Sequence, residues 1–326
     1  MCVINNIFKR LGNWAALLAL ALAGALSAAA PVRAQTPIAT VPYFIGDDGA
    51  LTVEVMVNGR GPYNFIIDTG ATLTLAFDNL AAIEKFSPTG APKRRVLGIS
   101  GSATLDTYQI GDIAVGEALM PDHIGVILPD WSAPRKTPHG ILGIDFFRRY
   151  AVVFNVRDKT LELYPHGAIP KARINRWRTV NLKPESYAAA TGSLYTAQGF
   201  INGSPATYII DLGSVATLVN YEAAKSIFSG TISQGGASSV TSGSRLNDVF
   251  DDRTVTMTGR FKSIRVGSAI WRYVTVWLRD APIFDELGVQ TRPFGLLGAD
   301  LLATQDFAID FGENRLYISK INQKKR

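Results

Sequence analysis

The sequence predicts an all-β protein of two similar lobes with a few short helices. Apolar runs rich in Val, Ile, Thr and Tyr end repeatedly at turn-forming pairs such as Asn-Gly, which is the pattern of β-hairpins. The chain also repeats itself once, in an ordered set of segments. Its 326 residues, of which 47% are hydrophobic, suffice for one large or two ordinary domains.

The first repeated unit is a hairpin that ends in an aspartate. "TVEVMVNGRGPYNFIIDTGATLTL" (52–75) and "LYTAQGFINGSPATYIIDLGSVATLV" (194–219) each contain a strand, an Asn-Gly turn and a second apolar strand. The second strands end at Asp68 and Asp211. Helix-like segments follow at 77–86 and 220–228, for which Asp78 and Asn220 are plausible N-cap residues.

The second repeated unit is an apolar-apolar-Gly segment. "GILGIDFFRRYAVVFNVRDKTLELYP" (140–165) matches "GLLGADLLATQDFAIDFGENRLYISK" (295–320). Each copy continues into a short helix, which we expect Asp145 or Asp300 to cap, and then into a strand hairpin. The ordered repeats predict a duplicated lobe, with one copy at 35–170 and the other at 171–326.

Residues 1–34 have the pattern of a secretory signal peptide. Lys9 and Arg10 precede the apolar stretch 14–30, and "VRA" (32–34) supplies small residues for cleavage after Ala34. The alternative is an uncleaved membrane anchor, although the stretch is barely long enough to span a bilayer. We expect an exported protein, periplasmic or secreted, without stable membrane insertion after cleavage.

Charge and cysteine content exclude several function classes. The formal charge of +6 falls to +3 when residues 1–34 are removed, so nucleic acid is not an implied partner. The only cysteine, Cys2, lies in the signal segment, which excludes cysteine catalysis, disulfides and thiolate metal sites in the mature chain. The three histidines lack the spacing of metal ligands, so we expect no metal and no cofactor.

Asp68 and Asp211 are expected to form a pair. If the lobes pack about a pseudo-twofold axis, equivalent residues near the axis come face to face. Two carboxylates about 3 Å apart cannot both ionise cheaply and therefore share one proton. Such a pair contains a base and an acid at once, which is what the hydrolysis of a peptide bond by water requires.

The residues that follow the two aspartates are only partly alike in their ability to support this chemistry. Gly70 and Gly213 allow a sharp turn that brings backbone N–H groups to the carboxylates. Thr69 can donate its hydroxyl across the axis, whereas Leu212 at the matching position cannot. Ser214 could bond to Asp211 through its hydroxyl, from which we expect Asp211 to be the more readily ionised member and Asp68 the more often protonated.

The paired motifs resemble the aspartic proteases, in particular the bacterial retropepsin-like group. "FIIDTGAT" with "GILGIDFF", and "YIIDLGSVAT" with "GLLGADLL", are similar to two tandem copies in a two-lobed, pepsin-type arrangement. The resemblance implies that Asp68 and Asp211 are catalytic, that peptides or proteins are the substrates and that the chain is a monomer. It also implies a mobile hairpin flap, for which "LGISGSAT" (97–104) offers Gly98, Ile99, Ser100 and Gly101.

Two departures and one rival accompany this resemblance. Leu212 replaces the usual Thr or Ser, and the flap segment lacks the tyrosine common in the pepsin-like branch. Each aspartate, taken alone, is also explained by a structural role in capping a turn. Leu212 also leads to an alternative function that is not enzymatic. In it, the chain is a peptide-binding module of the same fold whose pair of aspartates is disabled.

Overall fold

The computed structural model describes residues 36–99, 101–130, 138–228, 240–248 and 251–320. Strands dominate these residues and the helices are short, so the predicted all-β class is confirmed. The predicted signal peptide, residues 1–34, lies outside the described residues. No helix within the described ranges is long and apolar enough to cross a membrane.

The elements before residue 170 carry the first copy of the repeat. Its helices are α1 (Asp78–Glu84) and α2 (Ile144–Phe147). Its strands are β1 (Ala39–Ile45), β2 (Leu51–Val57), β3 (Arg60–Ile67), β4 (Leu75–Phe77), β5 (Ser87–Pro88), β6 (Arg94–Gly98), β7 (Gly101–Leu105), β8 (Thr107–Val115), β9 (Ala118–Leu128), β10 (Gly140–Leu142), β11 (Ala151–Asn155) and β12 (Thr160–Tyr164).

The elements after residue 170 carry the second copy. Its helices are α3 (Lys171–Ile174), α4 (Tyr221–Phe228), α5 (Pro282–Glu286) and α6 (Ala299–Leu302). Its strands are β13 (Arg178–Asn181), β14 (Lys183–Ser186), β15 (Ser193–Ile201), β16 (Ser204–Ile210), β17 (Leu218–Val219), β18 (Val240–Asp248), β19 (Asp251–Val266), β20 (Ala269–Leu278), β21 (Phe294–Leu297), β22 (Phe307–Asp310) and β23 (Arg315–Ile318).

The same strand order occurs twice. Neighbouring strands run β2-β3-β10-β4-β9-β8 in the first copy and β15-β16-β21-β17-β20-β19 in the second. In each copy the strand that ends at the aspartate lies between its antiparallel hairpin partner and a parallel strand from the apolar-apolar-Gly segment. Ile66 is opposite Ile141 in the first copy, and Ile209 is opposite Leu296 in the second. The sequence repeat is therefore a repeat of topology.

Strands of both copies join in one sheet. Strand β11 of the first copy pairs antiparallel with β22 of the second, from Ala151 opposite Asp310 to Phe154 opposite Phe307. The rings of Phe154 and Phe307 stack with their centroids 4.4 Å apart and are both buried. Such a stack adds about 0.5–1.5 kcal/mol beyond the area that it buries, so it helps to fix the two copies together.

The local turns and caps were predicted with mixed success. Both Asn-Gly pairs form the hairpin turns expected of them, with positive φ at Asn58 (52°) and Asn202 (49°). Asn220 caps α4 by accepting a bond from the Ala223 N–H at 3.0 Å. The prediction for Asp78 was wrong, because it is the first residue of α1 and makes no side-chain cap bond.

Candidate active site

Each aspartate of the pair follows directly on a buried strand, and a parallel strand fixes its backbone. The Asp68 N–H donates to the Leu142 carbonyl at 3.0 Å, and the Asp211 N–H donates to the Leu297 carbonyl at 3.1 Å. Both acceptors belong to the apolar-apolar-Gly segments. These segments therefore hold the ends of β3 and β16 in the same way in both lobes.

The two carboxylates are held by backbone N–H groups of the loops that follow. Asp68 Oδ1 accepts from the N–H of Gly70 at 2.8 Å and of Ala71 at 2.9 Å. Asp211 Oδ1 accepts from the N–H of Gly213 at 3.0 Å and of Ser214 at 3.1 Å. One oxygen of each carboxylate is thus turned towards its own loop, in the same arrangement in both lobes.

The two carboxylates meet across the lobes and share a side-chain hydrogen bond. Each lies against the glycine of the opposite loop, where a Cβ would clash. A Cβ on Gly70 would be 2.6 Å from Asp211 Cγ, and one on Gly213 would be 2.2 Å from Asp68 Cγ. Glycine is needed at both positions because any side chain would push the carboxylates apart.

The surroundings of Asp211 favour its protonated form. Burial raises the pKa of Asp211 well above its ordinary 3.8, and the charge of Asp68 raises it further. Asp211 is only 7% exposed, whereas Asp68 is partly exposed. The raised pKa of Asp211 runs against the sequence-based expectation that Asp211 is the more readily ionised member. Two backbone N–H bonds favour the ionised form, but they do not offset its burial beside a second carboxylate.

The prediction that the Ser214 hydroxyl bonds to Asp211 was wrong. The Ser214 hydroxyl donates to the Ala216 carbonyl at 2.7 Å instead of to Asp211. Ser214 contacts the carboxylate through its backbone N–H, as Ala71 does in the other lobe. The side chain at this position therefore fixes the local loop, and either residue type leaves the carboxylate contact unchanged.

Thr69 braces the two loops across the axis, and its counterpart does not. The Thr69 hydroxyl donates to the Ile210 carbonyl at 2.8 Å and accepts from the Leu212 N–H at 3.0 Å. Both bonds are buried and connect the lobes. Leu212 is fully buried among apolar side chains and has no hydroxyl with which to return the contact. The bracing therefore comes from one side, as the sequence indicated.

A threonine six residues after each aspartate ties the loop to the helix behind it. Thr74 donates to Asp145 from its N–H at 2.9 Å and from its hydroxyl at 2.6 Å. Thr217 donates to Asp300 in the same way, at 2.9 and 2.7 Å. Gly143 and Gly298, the residues before these helices, donate their N–H groups to the two threonine hydroxyls.

These bonds replace the capping role that the sequence suggested for Asp145 and Asp300. The N-caps of α2 and α6 are Gly143 and Gly298, without side-chain cap bonds, so the predicted N-cap positions were wrong. Asp145 Oδ1 does accept from one first-turn N–H, that of Phe146, at 2.9 Å. The two carboxylates instead hold the loops that carry the paired aspartates. Thr74 was missed in the sequence, although its recurrence as Thr217 in the repeat was a visible indication.

His123 supports the loop of the first lobe alone. Its Nε2 lies 2.7 Å from the Thr74 carbonyl oxygen, and its Nδ1 lies 3.7 Å from Asp145 Oδ2. Burial lowers the pKa of His123 below its ordinary 6.5. A neutral ring that donates from Nε2 fits this position. In the second lobe the Thr217 carbonyl accepts from the Trp277 backbone N–H instead, at 2.9 Å.

The predicted flap segment forms a hairpin beside the pair. Gly98 ends β6, Ile99 lies in the turn and Gly101 begins β7, while Ser100 lies outside the described residues. One cleft is lined by both aspartates together with Gly98 and Ile99. Apart from the aspartates and Ser214, its lining is apolar or glycine, with side chains from both lobes such as Ile66, Leu75, Ile141, Ile209, Ile283 and Leu296.

Comparison with known proteins finds similarity to aspartic proteases. Residues 53–146 match the family model described as aspartyl protease. The fold is similar to that of an aspartic proteinase from Irpex lacteus, with a TM-score of 0.53 at 12% identity. That similarity covers 86% of this chain and 97% of the other. No curated protein matches the sequence.

The fold is that of a two-lobed aspartic protease. The family match lies wholly within the first lobe, where it includes Asp68 and the loop that follows Asp68 in the sequence. The second copy of the motif, with Leu212 after its aspartate, lies outside that match. Family and fold together support an aspartic protease, whereas the retropepsin-like subgroup remains a prediction from the sequence.

Proposed function

We propose that this chain is an exported aspartic endopeptidase that hydrolyses peptide bonds with Asp68 and Asp211. The observation that carries the proposal is the hydrogen-bonded contact between two carboxylates from different lobes. They lie in an apolar cleft beside a hairpin. A cleft of this kind suits an extended peptide with apolar side chains, and the paired carboxylates supply acid and base.

The raised pKa of Asp211 supports a different role for each member of the pair. Asp68, as the carboxylate, takes a proton from a water while the oxygen of that water bonds to the carbonyl carbon of the substrate. Asp211, as the acid, donates its proton to the carbonyl oxygen, which gives a neutral tetrahedral diol. Collapse of the diol breaks the C–N bond, a proton passes to the leaving nitrogen, and the pair again holds one proton.

The pH dependence follows from this assignment. Activity requires Asp211 to be protonated, so it is lost as the pH rises through the raised pKa of Asp211. Because that pKa lies well above 3.8, the active range extends further towards neutral pH than an ordinary aspartic acid would allow. This fits a protease working in an envelope compartment or outside the cell.

A peptide-library digestion across roughly pH 3–8 tests the proposal. We expect wild-type protein to cleave, pepstatin to inhibit it, and Asp68→Asn or Asp211→Asn to lower the rate by about 10²–10⁴-fold. Asp78→Asn, an exposed change in α1, is the matched control and should retain full activity. The peptidase proposal fails if wild type does not cleave, or if cleavage survives both changes in the pair.

The alternative is a peptide-binding module with a disabled pair, and the buried Leu212 is the observation that favours it. One-sided bracing by Thr69 leaves the second loop without a reciprocal hydroxyl bond. Peptide binding without turnover, unaffected by Asp68→Asn, is the result expected of such a module. The same digestion, with binding measured in parallel, separates the two functions.

Location and assembly are proposed on sequence grounds. Residues 1–34 favour export to the periplasm or beyond, with the signal removed. We propose a monomer because both aspartates are supplied by one chain. No cofactor or metal has a part in the proposed reaction, and no nucleic-acid partner is proposed.

A further inference from the structure

The hairpin of β6 and β7 stands apart from the large sheets. Among the described strands, β6 and β7 pair only with each other, from Arg94 opposite Leu105 to Gly98 opposite Gly101. Its position over the cleft is therefore not fixed by a strand ladder to either lobe. Contacts made by its side chains and turn decide where it lies.

An ion pair joins this hairpin to the second lobe. Arg95 Nη2 lies 2.7 and 2.8 Å from the two carboxylate oxygens of Glu286, the last residue of α5. The Ser102 hydroxyl, on the other strand of the hairpin, donates to Glu286 Oε1 at 3.1 Å and accepts from Arg95 at 3.1 Å. Both strands of the hairpin thus contact one carboxylate that belongs to the other lobe.

The turn of the hairpin contacts the same helix. The Ile283 N–H, in the first turn of α5, donates to the Ile99 carbonyl at 3.4 Å. The side chains of Leu97 and Ile99 pack on the second-lobe cluster that includes Ile283 and Leu287. The hairpin therefore rests on α5 through apolar, backbone and ionic contacts at once.

We propose that Arg95, Ser102 and Glu286 form a latch that holds the hairpin closed over the paired aspartates and must open for a peptide to enter. The proposal rests on the proposed peptidase function and names positioning residues for it. Arg95 and Glu286 do not touch the reacting atoms. They act through the position of the hairpin, whose residues 96–99 line the cleft together with Asp68 and Asp211.

The strength of the Arg95–Glu286 ion pair suits a latch that opens readily. The side chain of Arg95 is 45% exposed and that of Glu286 is 27% exposed, so solvent weakens their attraction. Exposed pairs of this kind shift an equilibrium by about two- to fivefold. Because the hairpin must open for each turnover, a shift of this size is measurable in substrate binding, whereas a buried pair would keep the cleft shut.

Distance measurements between spin labels test the latch without reference to catalysis. In the full chain with Cys2→Ser, labels are attached at Thr104→Cys on the hairpin and Gln290→Cys beyond α5, both exposed positions. We expect one short distance for the parent protein and an added longer one in Glu286→Gln. The charge exchange Arg95→Glu with Glu286→Arg should restore the short distance. Asp106→Asn, which removes the exposed Lys93–Asp106 pair at the base of the same hairpin, should leave it unchanged.

Steady-state kinetics test the consequence of the latch. If substrate binds only to the open form, Glu286→Gln lowers KM by about two- to fivefold and leaves kcat unchanged. A merely structural role would lower the active fraction instead.

A distance distribution in Glu286→Gln identical to the parent overturns the latch, and opening without a fall in KM overturns its control of substrate binding. Lack of cleavage by wild type would reject the peptidase proposal, while the distances would still decide the latch.

Discussion

The two lobes build the same loop with different side chains at the axis. In both, an aspartate after a buried strand accepts from two backbone N–H groups, and a threonine six residues on donates to an aspartate behind it. The residue next to the aspartate differs, Thr69 against Leu212. The backbone N–H bonds and the threonine–aspartate bonds are therefore present in both lobes. The hydroxyl bonds that brace the two loops come from Thr69 alone.

Thr69 carries the largest difference between the lobes. Thr69→Val leaves the Ile210 carbonyl and the Leu212 N–H buried without their partner, at a cost of about 2–4 kcal/mol. Leu212→Val removes no hydrogen bond and deletes one buried methylene, which should cost about 0.5–1.5 kcal/mol. Urea unfolding measures both free energies. The control Thr69→Ser keeps the hydroxyl, and an equal loss in Thr69→Val and Thr69→Ser would show that the hydroxyl does not brace the lobes.

The hydrogen bonds between Thr74 and Asp145 and between Thr217 and Asp300 are equivalent, so we expect their loss to have similar effects in the two lobes. Asp145→Ala and Asp300→Ala each leave a buried threonine N–H and hydroxyl without an acceptor, which should cost about 1–3 kcal/mol. Each should also lower kcat, because the loop that carries the nearby paired aspartate is released. Paired measurements of unfolding and turnover test this, and a cost in one lobe alone would break the equivalence.

The pH dependence of the Asp300 change has a definite sign. Burial raises the pKa of Asp300 above 3.8, so the stability linked to its proton is present below 3.8 and is lost as the pH rises through the folded pKa. The difference in unfolding free energy between wild type and Asp300→Ala should therefore be larger at roughly pH 4 than at neutral pH. A difference that does not vary with pH would contradict the raised pKa.

His123 gives the smallest expected effect. The second-lobe residue in register with it is Val274, because β9 and β20 follow equivalent turns and pair with β4 and β17 at equivalent positions. His123→Val removes the bond to the Thr74 carbonyl and should cost about 1 kcal/mol at neutral pH.

Acidification should erase this cost. Because burial lowers the pKa of His123, its stabilising contribution is complete above 6.5 and is lost as the pH falls through the folded pKa. Asp145 faces the ring and opposes this shift, while Arg94 and Arg149 add to it. Unfolding free energies of wild type and His123→Val should converge on acidification. Curves that stay parallel would show that His123 does not titrate as described.

The sequence predicted the features that repeat at fixed spacing. The two hairpins, their Asn-Gly turns and the facing aspartates follow from comparing the two copies, as do Gly70 and Gly213. Asp145 and Asp300 repeat just as clearly, yet their role was misread because capping is a local rule and their partners lie 71 and 83 residues away. Arg95 and Glu286 are 191 residues apart, have no repeat and had no local indication. The protonation of the pair depends on burial, which spacing does not report.

The central claim is that aspartates from two lobes share one proton, held on Asp211. Carboxyl-carbon NMR of aspartate-labelled protein tests it directly, with Asp211→Asn identifying the resonance. We predict that Asp211 titrates well above 3.8 and that Asp68→Asn lowers its pKa, because the neighbouring charge is removed while the burial remains. A resonance of Asp211 that titrates near 3.8, or that does not respond to Asp68→Asn, would contradict the shared proton.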